Sequence, residues 1–548
     1  MKKGTYLRYI HDFCIQPKYI IKYLVLIIFI IASAFISAVQ PKVQGEIIDG
    51  VGAKKDSLLF YVFFLLIIVF SGYAISAIKT LMTKIIAEEL AAKMRTYICR
   101  KLIRIDTKYF QNVTYSELLT KSEKDVEEIK ECGIVGIIFI MSNIVNICVC
   151  VPFMLRINKY IGAISLLFIL LLPVVNFIFK NKIENVAARN LGTYRKYNDQ
   201  LSDVFNNWKN IRLFGCNEYV NKRFEKSNFD YMKSGTDRIK VYIANDLTNT
   251  IVQLLGLSTI WILGIQGVIR GNLSIGNLLA MVTYQATISA PISTITSYIS
   301  DFRISKVAIK DLYDFLDYTD ESCEGLKLQE IDKIEINNIN FNYGDGVSVL
   351  SDISFTFEKG NIYAITGRSG VGKSTLIDVL SGINKEYSGE ILVNNIDLKK
   401  YNIKEYREQI AYLQQTTSFF QDTIYNNIVL ERNIVNDDME NLCSQLGIRD
   451  EIKEMKDSWD TILHRNAGNI SVGQAKRVDV VRNMFQQKSV YIFDETTASI
   501  DEDGRRKFYS IVQKIAENTI VILITHNSDE LKYANYIYSI NSDLKDVF

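Results

Sequence analysis

Six long apolar stretches, at about 19–39, 58–78, 132–155, 160–179, 247–269 and 275–299, fill the first three hundred residues of this 548-residue chain. Each is close to the ~20 residues a helix needs to cross hydrocarbon. In lipid every backbone N–H and C=O must find a partner within its own segment or a closed barrel, so runs of this length specify helices. Lys2, Lys3 and Arg8 precede the first stretch and small residues end it, as in a signal peptide. Five further spans follow, so it is read as a retained helix. About 11 Lys and Arg residues lie between 79 and 131 and about a dozen between 180 and 241, against about six in the three short loops. That bias predicts that both termini and both long connections face the cytoplasm.

The long connections are themselves helical in pattern. KIIAEELAAKMRTYICRKLIRI (84–105) and NDQLSDVFNNWKNIRLFG (198–215) continue an amphipathic period well beyond the bilayer. The last span is rich in hydroxyls and amides, namely Thr283, Tyr284, Gln285, Thr287, Ser289, Ser293, Thr294 and Thr296. Such groups at membrane depth either face a watery cavity or pack helix on helix, and the pattern leaves both open. A formal net charge of +2 gives no reason to expect a nucleic-acid partner. The eight cysteines lack metal-ligand spacing and are expected to be reduced, buried thiols, and the three histidines are too scattered for a zinc site.

The remainder reads as an α/β enzyme. GRSGVGKST (367–375) ends an apolar strand and starts a helix. Its spacing fits a phosphate-binding loop, in which backbone N–H groups of Gly367, Arg368, Ser369, Gly370, Val371 and Gly372 wrap a phosphate at a helix N-terminus. Lys373 would reach the outer phosphates, Ser374 would ligate Mg²⁺, and Thr375 continues the helix. SVYIFDETTASID (489–501) is an apolar strand ending in two carboxylates. Asp494 would hold the Mg²⁺ shell and Glu495 would polarise the attacking water. VILITHN (521–527) places His526 at the end of another apolar strand, near the γ-phosphate if the sheet is doubly wound.

With these motifs in one chain, the sequence resembles the ATP-binding-cassette transporters, specifically a half-transporter of the exporter type. QPKVQGEIIDG (40–50) and GIQGVIRGNLSIGNLLAMVTY (264–284) resemble the family's first external loop and the turn between its fifth and sixth helices. The resemblance implies a membrane all-α six-helix domain over 1–315, a linker over 316–330 and an α/β P-loop ATPase cassette with a helical subdomain over 331–548. It implies coupling helices near 109–118 and 206–215. Tyr343 falls where an aromatic stacks on adenine, and Gln415 where a glutamine contacts Mg²⁺ and water. Ser499-Ile500-Asp501 resembles the D-loop, and His526 the switch histidine.

The segment NAGNISVGQAKRVDVV (466–481) departs from the family pattern. The resemblance makes it the signature that grips the γ-phosphate held by a partner subunit. Ile470, Ser471, Gly473 and Gln474 fit, but Val472 replaces a glycine and Arg465 an acidic residue. A β-branched residue resists positive φ and holds the backbone away. The expectation is a weakened signature beside an otherwise intact site, which favours a heterodimer over a homodimer. The implied activity is ATP-driven export of a peptide, drug-like or lipid amphiphile across the cytoplasmic (inner) membrane. Uptake of a siderophore-type cargo by the same architecture and an ATP-binding membrane sensor are the alternatives.

Overall fold

The computed structural model describes the chain except residues 1–7, 9–11, 13–15, 53–57, 112, 114–117, 119–120, 344–347, 369, 431–435, 465–467, 486, 498–501 and 541–548. Two compact units emerge. The first comprises residues 1–104 and 113–318, and the second 105–112 and 319–548.

Among the described residues, the first unit is helices joined by short turns. Its long elements are α1 (Pro17–Gly52), α2 (Leu58–Arg104), α4 (Gly136–Ile157), α5 (Lys159–Asn206), α7 (Asn217–Ile269) and α8 (Ile275–Leu316), with the short α6 (Trp208–Phe214) between α5 and α7. A further short helix, α3 (Lys108–Gln111), belongs to the second unit. Among the described residues, five helices are long and apolar enough to cross a membrane. At 1.5 Å per residue the 53 residues of α7 extend for about 80 Å, more than twice the hydrocarbon thickness. Just before α4 the chain winds as a π-helix over Ile129–Val135, a looser turn that inserts a residue into the helical repeat.

Several polar groups in this unit find partners close to home. The hydroxyls of Thr283, Thr287, Ser289 and Thr294 bond carbonyls four residues back in α8. Ser165 of α5 donates to the Gln285 carboxamide and Tyr284 to the Ala38 carbonyl. These contacts favour helix packing over a cavity for the described side chains; those of Ser293 and Thr296 lie outside them. Asn176 of α5 accepts from Asn245 (3.0 Å) and Asn249 (3.1 Å) of α7, so a carboxamide cluster pins these two helices together. Asp49 of α1 accepts from the Ser274 hydroxyl (2.6 Å) and the Gly276 amide (2.7 Å), capping the start of α8. Only glycine fits at 276, because a Cβ there would lie 2.0 Å from the Gly45 carbonyl oxygen.

The cysteine expectation needs correction. Cys150 and Cys443 are buried, whereas Cys99, Cys148 and Cys323 are exposed. Cys148 and Cys150 lie two positions apart on α4, about 200° around the helix, so they face opposite ways. Cys14 is outside the described residues.

The second unit is built on two sheets. Strands β1 (Lys333–Asn342), β2 (Ser348–Glu358), β4 (Ser388–Val393) and β5 (Ile396–Asp397) form an antiparallel sheet in the order β2-β1-β4-β5. Strands β3 (Asn361–Thr366), β6 (Ile410–Leu413), β7 (Val490–Asp494), β8 (Ile520–Ile524) and β9 (Tyr536–Ser539) form a parallel sheet in the order β6-β7-β8-β3-β9. Every residue of β7 and β8 is buried, which explains their unbroken apolar runs. Helices α9 (Lys373–Leu380), α10 (Ile403–Glu408), α11 (Ile424–Val429), α12 (Asn436–Gln445), α13 (Arg449–Glu454), α14 (Val472–Met484), α15 (Glu502–Ala516) and α16 (Ser528–Leu531) complete it. Strands β3, β7 and β8 are neighbours, so the loops leaving their C-terminal ends converge.

The coupling-helix expectations fall in different units, and residues 112 and 114–117 of the first lie outside the described residues. The turn α3 is held within the second unit, where Thr107 donates to the Ile383 carbonyl (2.6 Å) and Lys108 to Glu386 (2.5 Å). Lys385 bridges Asp106 (3.5 Å) and Glu321 (2.7 Å), and Arg407 clasps Glu321 bidentately. In the first unit α6 ends at Gly215 in left-handed geometry, and its Trp208, Leu213 and Phe214 are exposed.

Candidate functional site

Three strand ends supply the chemistry. After β3 the chain turns through Gly370 (φ +82°) and Gly372 (φ +103°), left-handed conformations that glycine adopts at no steric cost. A Cβ on Gly372 would press on the Val349 carbonyl at 2.9 Å, while one on Gly370 would meet nothing within 4 Å. The loop is thus tight behind and open in front, a cradle for a group the size of a phosphate. Gly372 caps α9, whose first-turn amides add positive potential. Lys373 donates to the carbonyls of Gly367 (2.9 Å) and Arg368 (3.1 Å), and its ammonium lies 2.8 Å from His526 Nε2. Burial lowers the Lys373 pKa, opposed by Glu495 and Asp494. Ser374 is exposed and Thr375 buried, and Ser369 is outside the described residues.

Asp494 ends β7, buried, with the Tyr412 hydroxyl donating to it at 3.3 Å. Burial raises its pKa, and neighbouring Glu495 raises it further. Glu495 follows with φ +46°, a conformation uncommon outside glycine, held because its amide donates to the Ile524 carbonyl at 3.0 Å. Its carboxylate accepts from the Gln415 amide (2.7 Å) and lies 3.4 Å from His526 Nε2. Lys373, His526, Glu495 and Gln415 therefore form one connected cluster, assembled from residues 373 to 526. Tyr343 stands at the edge of the same region, half exposed, its hydroxyl 3.3 Å from that of Thr375.

The signature residues do not join that cluster. Ser471 caps α14, accepting from the Gln474 amide while the Gln474 side chain accepts from the Ser471 amide. The Gln474 side-chain NH₂ turns to Glu451 at 3.0 Å. Val472 and Gly473 are the first two helical residues. The reason given above for a weakened signature is therefore corrected. Val472 sits in α14 rather than in a left-handed turn, so no positive-φ strain arises. What remains is its isopropyl group, 69% exposed beside the first helical amides. Arg465 and Asp501 lie outside the described residues.

Sequence reading missed the supports of this cluster. Thr497 donates to Glu530, and the Tyr509 hydroxyl is hydrogen-bonded to both. All three are buried. This triad ties the turn after Glu495 to α15 and to α16, four residues beyond His526. Lys476 is a second omission, buried in α14. A lysine on the buried face of a helix was the available signal.

Family comparison gives the same architecture. The ABC transporter transmembrane region model matches residues 23–292, and the ABC transporter model matches residues 350–498. A putative export ATP-binding/permease protein of Rickettsia bellii is 23% identical over 505 residues, covering 91% of this chain and 87% of that protein. ATP-dependent lipid A-core flippases of Legionella pneumophila and Francisella novicida are each 24% identical, covering 82% of this chain and 77% and 78% of theirs. The structure of a bacterial Atm1-family ABC exporter with ATP bound superposes with a TM-score of 0.84 at 15% identity, over 95% of this chain and 94% of that one. This is a multi-pass membrane protein with an ATPase coupled to transport. With helical and nucleotide-binding regions both matched along a single polypeptide, the chain belongs to the ABC transporters as a half-transporter of the exporter type.

Proposed function

We propose that the chain exports an amphiphile across the cytoplasmic membrane, with both termini cytoplasmic, as one half of a heterodimer. The observation that carries the catalytic part is the Lys373–His526–Glu495–Gln415 cluster at converging strand ends. Lys373 and the start of α9 bind the phosphates, and the Tyr343 ring is available to the base. Glu495, oriented by Gln415 and His526, polarises the attacking water. Ser374, Gln415 and Asp494 offer the hard oxygen donors that suit Mg²⁺. Held there, Mg²⁺ would supply positive charge against the negative charge that develops on the phosphate.

The heterodimer reading rests on Val472, whose exposed side chain covers the helix start that a partner's nucleotide would approach. The partner's signature would then complete this chain's own site. For the cargo, the lipid A flippases among its relatives support a lipid or similar amphiphile. Inverted membrane vesicles containing the transporter should accumulate a fluorescent phospholipid or amphiphilic dye with ATP and lose this with Glu495→Gln. ATP-dependent movement in the opposite direction would instead establish an importer.

A further inference from the structure

Lys476 has no task in the site described so far. It lies in the second turn of α14, 4% exposed. Its ammonium donates to the main-chain carbonyls of Gln414 (2.6 Å) and Gln415 (3.2 Å). A buried ammonium is expensive unless paired, and here the hydrogen bonds go to a loop backbone rather than to a carboxylate. Asp479 and Asp494 favour its charge only through space. The loop it grips follows β6 directly and carries the glutamine that holds Glu495. Adjacent residues of α14 are fixed on another side. Arg477 pairs with Glu451 at 2.6 Å and 2.8 Å, and Gln474 donates to the same carboxylate.

The start of α14 is therefore bonded both to α13 and to the segment bearing Gln415. We propose that Lys476 is a positioning residue that makes Gln415, and through it Glu495, follow the first turn of the signature helix. This rests on the reading above, in which nucleotide held by the partner subunit approaches the start of α14. Engagement of that nucleotide would shift α14, and the shift reaches this chain's own Glu495 through one ammonium and one carboxamide. The warrant is the continuous bonded path from residue 471 to residue 495. The two ATP sites of the dimer are thereby linked without passing through the membrane helices.

The test uses the full transporter in lipid, as a homodimer if that turns over and with its cognate subunit otherwise. Turnover is counted as the part that Glu495→Gln removes. Lys476→Met keeps the aliphatic stem and deletes the donors. It should lower kcat about tenfold, leave KM for ATP within about twofold, and leave the thermal midpoint unchanged or raised. Lys476→Gln, which restores a neutral donor, should recover at least about threefold of the loss. In a Gln415→Ala background Lys476→Met should have no further effect, because it acts through Gln415. Wild-type kcat in Lys476→Met overturns the inference, as does a loss of kcat that tracks a fall in thermal midpoint. Additive losses with Gln415→Ala overturn it too. If Gln415→Ala or Glu495→Gln leaves turnover intact, it is the site reading that fails.

Discussion

In the membrane unit, Thr283, Thr287 and Ser289 bond back into their own helix, and Asn176, Asn245 and Asn249 bond across one helix pair. In the nucleotide-binding unit, Lys373, Gln415, Glu495 and His526 come from four separate segments and bond one another at strand ends. The first arrangement follows from solvent. Lipid offers no partners, so these hydroxyls and amides take the nearest carbonyl or the facing helix, and their identity reports packing. The second costs strain and desolvation. Glu495 keeps φ +46°, and Asp494 and Lys373 are buried charges with shifted pKa values. Such costs persist where chemistry requires the geometry.

The sharpest way to probe the membrane side is Gly276→Val. Its Cβ would overlap the Gly45 carbonyl and crowd Asp49, so α1 and α8 must separate and the cap is lost. A destabilisation of about 3 kcal/mol is expected. Gly192→Ala, with nothing within 4 Å of the added Cβ, should be neutral or stabilising by up to ~1 kcal/mol. Thermal unfolding of both in detergent checks this, and equal midpoints would show that the α1–α8 approach is not close.

On the nucleotide side, Thr497→Val removes one buried donor while keeping shape. It should reduce kcat about tenfold, near 1.4 kcal/mol of positioning, with ATP affinity preserved. Thr497→Ser should restore most of it. Equal losses in both variants would mean that the methyl, rather than the bond to Glu530, matters.

A smaller effect separates function from stability. The folded-state pKa of Asp494 is raised, so the folded protein binds this proton more tightly than the unfolded chain does. Ionised Asp494 therefore costs stability, and the cost grows as pH rises through the folded pKa. Asp494→Asn should raise the midpoint by about 2–4 °C at neutral pH while abolishing turnover. The gain should shrink as pH falls through that pKa. A midpoint lowered at neutral pH would contradict the assignment of burial as the dominant cause.

The same contrast explains what was legible in the sequence. Apolar length gave the long helices, because hydrocarbon thickness is a hard constraint. The phosphate loop was legible because glycines at 370 and 372 answer a geometric demand, as their φ values show. The supports were not. Thr497, Tyr509 and Glu530 lie far apart along the chain, and only the fold brings them together. Val472 was legible only in part. The family glycine suggests a backbone demand, whereas the position is an ordinary first turn of helix, and what the valine changes is the exposed face that the helix start presents. Cargo identity stayed illegible because residues facing lipid or packing helix on helix obey hydropathy and volume alone.

The most direct measurement is ATP turnover of this chain purified alone in lipid, beside Val472→Gly, with Glu495→Gln as the blank. An intact catalytic cluster facing an obstructed signature predicts near-silence in the wild type and at least about tenfold activation by Val472→Gly, erased when Glu495→Gln is added. Brisk wild-type turnover that Val472→Gly leaves unchanged would contradict it, and would make the chain a working homodimer.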